Sequence, residues 1–109
     1  MGGENRPAGT LISRRHGLKG RPDYLLETAG GSIPVEIKLG GCPPSGRPHG
    51  SHVMQLACYC LLCEEVAGAS VPFGIIQYPD REVRVPFTPE LRRGLLSLLG
   101  ERREAGARE

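Results

Sequence analysis

An α/β fold, with a central mixed β-sheet of about five strands flanked by helices, is predicted for this chain by three observations. Short apolar runs punctuated by glycines precede Leu39, two longer segments carry apolar residues at helical spacing, and two further strand-like runs lie between those segments. With 109 residues and 39% hydrophobic content, the chain supports one small domain and leaves no room for a second. Aromatic content of 5% and the absence of Trp leave Leu, Val, Ile and Ala to do most of the packing.

The elements follow in chain order. Residues 1–9 contain Gly and Pro among polar groups and are expected to form a flexible N-terminal segment. Thr10 to Ser13, Arg21 to Glu27 and Ser32 to Lys38 read as three strands of a short antiparallel meander, with Gly17, Gly20, Gly30 and Gly31 marking its turns. The stretch Gly40 to Pro48 is too rich in Gly and Pro for a regular element and is expected to be a weakly ordered loop. His52 to Ala67 reads as a helix, N-capped by Ser51 and stopped by Gly68, with Val53, Leu56, Ala57, Leu61 and Leu62 covering much of its surface. Val71 to Tyr78 and Glu82 to Phe87 form two more strands around a tight turn at Pro79-Asp80-Arg81. Thr88 caps a final helix that starts at Pro89 and aligns Leu91, Leu95, Leu98 and Leu99 on one face; its charged tail from Glu101 is expected to fray.

Set into these apolar segments is an ordered group of polar residues: Pro22-Asp23, then Glu36-Ile37-Lys38, then Gln55 and Tyr59 one helical turn apart. Two carboxylates a few ångströms apart repel by roughly 4 kcal/mol at an effective dielectric near 20, so a cation or a lysine has to offset them. Lys38 lies on the same strand face as Glu36, two residues on, and supplies part of that offset. Gln55 and Tyr59, four apart on a helix, reach one location together with an amide and a phenol.

This order and spacing resemble the PD-(D/E)xK nuclease signature, and Gln55-Leu56-Ala57-Cys58-Tyr59 resembles the Q-x-x-x-Y helix of its RecB-like branch. With Gly17 to Asp23 ahead of the motif and the strands at Phe73 to Tyr78 and Val83 to Phe87 behind it, the chain is similar to the CRISPR-associated exonuclease family Cas-four from about Thr10 to the last helix. The resemblance implies a restriction-endonuclease-like core over residues 10–105, with 106–109 a flexible tail. It implies a metal-dependent DNA nuclease acting on single-stranded ends or overhangs, in CRISPR adaptation or DNA repair. Asp23, Glu36 and the Ile37 carbonyl would hold Mg²⁺ or Mn²⁺, for which oxygen ligands are suited. Asp23, Glu36 and Lys38 would be catalytic, and Gln55, Tyr59, Arg21 and His52 would contact DNA. A CRISPR adaptation integrase is the implied protein partner, and a lone domain of this size is also expected to pair as a homodimer.

Two departures from the family pattern shape the expectation. The chain starts too close to its first strand to hold the upstream helical region with a metal-binding histidine, and no cysteine follows Cys63, so the pattern for an iron–sulfur cluster is incomplete. The sequence is therefore expected to be a minimal nuclease core without such a cluster. Cys58, Cys60 and Cys63 lie within two turns of one helix, which suits core filling in a reducing compartment better than disulfides.

Other readings of the same residues stay open at the level of sequence. Asp23 and Glu36 can be a structural pair satisfied by Arg21 or Lys38, Lys38 a strand-end lysine, and Gln55 with Tyr59 a polar stripe on a helix surface. On those terms the chain is a catalytically incomplete module that binds nucleic acid or a partner protein. His16 is a candidate replacement for the upstream histidine, and His49 and His52 lie between the loop and the helix. The formal charge of +2 is too small to argue for nucleic acid, although Arg14, Arg15, Lys19 and Arg21 cluster ahead of Asp23. No apolar run approaches the roughly 20 residues of a membrane span, and the N terminus has no hydrophobic signal core, so a cytoplasmic location is expected.

Overall fold

The computed structural model describes residues 4–108, with side chains described through residue 100. Its elements are β1 (Glu4–Pro7), β2 (Leu11–Ser13), β3 (Leu18–Gly20), β4 (Tyr24–Thr28), β5 (Gly31–Ile37), α1 (Gly50–Ala67), β6 (Phe73–Gln77), β7 (Glu82–Pro86) and α2 (Pro89–Arg108). The main sheet has five strands in the order β1-β4-β5-β6-β7, antiparallel except for the β5/β6 pair that α1 connects. That one parallel pair makes the sheet mixed, because a crossover through a helix returns the chain in the same direction.

The N-terminal half differs from the expected meander. Glu4–Pro7, expected to be flexible, forms the edge strand β1 against β4, with every side chain exposed. Its place rests on backbone pairing, which leaves no apolar pattern to read. The strand expected at Thr10 to Ser13 pairs with Leu18–Gly20 in a separate two-stranded sheet instead, turning at Gly17 with φ 64°. Asp23 was expected inside a strand and lies just ahead of β4. The β4/β5 turn is Ala29-Gly30, closed by Thr28 against Gly30 N and Gly31 O, with Gly31 opening β5 at φ 129°.

Both helices contribute to one core cluster on one face of the sheet. Leu56, Ala57, Cys60, Leu61 and Cys63 of α1 and Leu95 and Leu99 of α2 meet Leu25, Ile76 and Tyr78 there. Gly74 permits the close approach, since a Cβ at that position would lie 2.6 Å from Leu56 Cγ. On the reverse face Ile33, Val35 and Ile75 form a smaller apolar cluster with Leu26 and Phe73. The α1 N-cap is His49 rather than Ser51 and makes no side-chain cap bond, whereas Gly68 ends the helix in the left-handed conformation with its N–H on Glu64 O. Thr88 caps α2 as expected, its Oγ1 accepting the Leu91 N–H at 3.0 Å. Leu98, placed on the packed face by spacing, is 44% exposed. The backbone of α2 is helical through Arg108, while the side chains of the tail expected to fray lie outside the described residues.

Candidate metal and nucleic-acid site

The site begins where the β4/β5 ladder stops. The register pairs Tyr24 with Val35, so one more hydrogen-bonded pair would set Pro22 against Ile37. Pro22 has no N–H to give the Ile37 carbonyl, and the ladder ends there. Asp23 takes over the vacated position: its Oδ2 accepts the Ile37 N–H at 2.8 Å. In an extended strand a residue's N–H and C=O project to the same edge, so the Ile37 carbonyl faces the side from which Asp23 approaches. The Ile37 side chain points to the opposite face from Glu36 and is 42% exposed.

Glu36 is 6% exposed and is one of two buried polar or charged residues, with Ser13, among those described. Its carboxyl is raised to about 7, first by burial, then by the adjoining Asp23 carboxylate. Asp23 is held below its ordinary value, chiefly by the hydrogen bond with Glu36 and also by the Ile37 N–H and the charges of Lys38 and Arg21. The two acids thus share one position electrostatically, and at neutral pH in the absence of a cation a proton on Glu36 lowers their repulsion.

Lys38 Nζ lies 3.7 Å from Glu36 Oε2 and donates to Gln55 Oε1 at 2.6 Å. Gln55 Nε2 donates in turn to Tyr59 OH at 3.2 Å. Burial and the Glu36 charge push the Tyr59 phenol up, so it stays a neutral donor. Gly20 seats this ring, because a Cβ there would fall 3.0 Å from Tyr59 Cε1 and 3.2 Å from Leu62 Cδ1.

The five side chains singled out by their order in the sequence therefore meet. His52 lies one turn before Gln55 on α1, with Nδ1 3.0 Å from the buried Tyr78 OH and its ring edge-on to His49 at 4.9 Å. Burial, Lys38 and His49 hold its pKa down, which keeps the ring neutral. Arg21 is exposed beside the buried Pro22. His16, a candidate for the absent histidine ligand, instead pairs with Glu65 at 3.2 Å, ten residues beyond Gln55 and so about 15 Å along α1. Among the described residues no group of three or more His, Cys, Asp or Glu side chains converges on one point, so side-chain ligation rests on the two acids.

The four cysteines are thiols and form no disulfide. Cys60 and Cys63 are buried; desolvation pushes Cys60 far up and Cys63 up to about 11. The loop expected to be weakly ordered is tethered by Cys42 N–H to Asp80 Oδ1 at 3.2 Å and by a turn from Gly46 N to Pro43 O at 2.9 Å. Sequence reading missed Gly20 and Tyr78. Gly20 reads as a turn glycine although it lies in β3, and Tyr78 reads as one more strand aromatic.

No protein-family model matches the chain. No curated protein matches it either. Among solved structures the chain is similar to the crystal structure of SSO0001, with 26% identity and a TM-score of 0.50 over 87% of this chain and 45% of that one. The chain thus spans less than half the length of that protein, and the match supports the α/β fold with a five-stranded mixed sheet and two helices. No described helix is long and apolar enough to cross a membrane.

Proposed function

We propose that this chain is the core of a divalent-metal-dependent deoxyribonuclease that hydrolyses phosphodiester bonds, with single-stranded ends or overhangs as substrate. Within that class it resembles the RecB-like branch of the PD-(D/E)xK nucleases and the Cas-four family. CRISPR adaptation, with an integrase as partner, or DNA repair is the proposed setting.

One observation carries the reading. A buried carboxyl raised to about 7 adjoins a second carboxylate, with a lysine 3.7 Å from the first. That arrangement is unfavourable for folding alone and fits a cation, which would replace the shared proton. Asp23, Glu36 and the Ile37 carbonyl would hold Mg²⁺ or Mn²⁺. The ion, when bound, supplies Lewis acidity toward a phosphate oxygen and acidifies a coordinated water.

The chain's own residues do the rest. Lys38 is held by Gln55 at 2.6 Å, so its ammonium is fixed where negative charge builds on the phosphate. Gln55 and Tyr59 orient the strand through amide and phenol. The Ile37 N–H fixes the Asp23 carboxylate at 2.8 Å, which removes the need to reorganise it during the reaction.

End-labelled single-stranded DNA with Mn²⁺ tests the proposal. Wild type should cut, and Asp23→Ala and Lys38→Ala should each lose the activity while still folding. Identical product patterns from all three proteins would overturn it. The shortage of a third acidic or histidine ligand favours one alternative, a module that binds DNA without cutting. Calorimetric Mn²⁺ titration separates the two, since a binding module takes up no metal at Asp23 and Glu36.

A further inference from the structure

The described cations divide into two groups. Arg6, Lys38, Arg81, Arg84, Arg92 and Arg93 each lie within 4.0 Å of a carboxylate. Arg14, Arg15, Lys19, Arg21 and Arg47 have no such partner among the described residues, and all five are exposed. All but Arg47, which lies in the loop ahead of α1, fall on or beside the β2/β3 hairpin, which belongs to no part of the main sheet.

The hairpin has two distinct sides. Leu11, Ser13, Leu18 and Gly20 are inward and pack against α1, where Gly20 touches Tyr59. Ile12 and Lys19 pair across the ladder on the outer side and are exposed. Arg21 follows Lys19 by two residues on that same side, about 6.6 Å further along an extended chain. The strip ends at Pro22-Asp23, the mouth of the site.

We propose that the β2/β3 hairpin, through Arg14 and Arg15 at its turn and Lys19 and Arg21 along its outer side, is the track along which the phosphate backbone of a DNA strand reaches Asp23 and Glu36. The proposal deepens the nuclease reading and rests on it for the strand's destination, although binding to the hairpin itself requires no metal. Four of the five described cations without a carboxylate partner, in a chain of net charge +2, concentrate the attraction on one small surface. The inward side couples that surface to the site, since the backbone carrying Lys19 and Arg21 is the backbone against which Tyr59 packs.

Fluorescence anisotropy of a labelled single-stranded 20-mer in EDTA tests the track without cleavage. Arg14→Gln/Arg15→Gln and Lys19→Gln/Arg21→Gln should each flatten the dependence of log affinity on log salt by about 1.4, and the quadruple variant by about 2.8. Arg81→Gln/Arg84→Gln, whose cations are paired on and beside β7, should keep the wild-type slope. Wild-type slopes in the hairpin variants, with circular dichroism confirming their fold, would overturn the track and leave the nuclease reading standing. Flattened slopes in a protein that never cuts DNA with Mn²⁺ would uphold the track and remove the nuclease reading. An equal loss in the Arg81/Arg84 variant would show diffuse charge attraction and overturn the assignment to the hairpin.

Discussion

Replacing Glu36 by Gln should stabilise the metal-free protein while removing its response to metal. Glu36 is 6% exposed, and its carboxyl moves from 4.5 to about 7 on folding. The folded state therefore binds more protons than the unfolded state between those values, and stability falls as pH rises through that window. At about 1.4 kcal/mol per pH unit the loss reaches roughly 3 kcal/mol above pH 7. Asp23, held low, is ionised in both states across the window and adds no slope. His52, whose pKa is also held down, contributes a slope of the opposite sign that is common to both proteins and cancels in their difference. Denaturant melts in EDTA at pH 5 and pH 8 should thus show a slope in wild type that Glu36→Gln lacks. The variant should be more stable at pH 8 by about 2–3 kcal/mol, or about 10 °C in melting temperature for a domain of this size. Added Mn²⁺ should then raise wild type and leave the variant unmoved. An equal pH slope in the two proteins would refute the premise that the buried Glu36 carboxyl carries the strain.

Three further perturbations probe the supports of the site. Gln55→Ala frees Lys38 Nζ and Tyr59 OH from their shared anchor, and single-turnover cleavage should slow by about 10–100-fold with DNA affinity largely kept. Gly20→Ala places a methyl 3.0 Å from Tyr59; chemical denaturation should report a loss of about 1–3 kcal/mol, with tyrosine fluorescence altered as the ring is displaced. Thr88→Ala removes the Oγ1 acceptor of the Leu91 N–H; it should cost about 1 kcal/mol in the same assay and leave cleavage unchanged, because the bond it removes lies within α2.

What could be read from the sequence follows from which interactions leave a pattern in it. The β4/β5 and β6/β7 hairpins and both helices carry apolar runs, because β4, β5 and β6 bury residues on both faces of the sheet and the helices pack on one of them, and their positions were legible. β1 was not, since an edge strand with four exposed side chains is held by backbone hydrogen bonds that any residue but proline can make. β2 was legible as a strand and misassigned as to sheet, because three residues alternate identically whichever partner they take. In the site, Asp23, Glu36, Lys38, Gln55 and Tyr59 were legible by order and spacing. Gly20 was hidden because a glycine that admits a neighbouring ring is spelled the same way as a glycine that makes a turn. The His16–Glu65 pair was hidden for a related reason: the two residues lie far apart in the sequence, and no local rule connects them.

The position of the acids explains why a proline precedes the first of them. A strand at position 22 with a free N–H would extend the β4/β5 ladder by one pair and occupy the Ile37 carbonyl. Proline stops the ladder without bending β5, which continues to Ile37 in parallel register with β6. The Ile37 N–H takes the Asp23 carboxylate as its acceptor, at 2.8 Å, in place of the Pro22 carbonyl. One missing N–H thus turns the Ile37 carbonyl into a candidate ligand and draws a carboxylate to the same edge. Buried Glu36 lies between those two groups in sequence and faces Lys38 across 3.7 Å. Substituting Ala for Pro22 should on this account lengthen β4 and gain a hydrogen bond, so the amide introduced at position 22 would be protected from hydrogen exchange while Mn²⁺ affinity falls. If affinity held and that introduced amide exchanged at the unprotected rate, the ladder would end for some reason other than the proline.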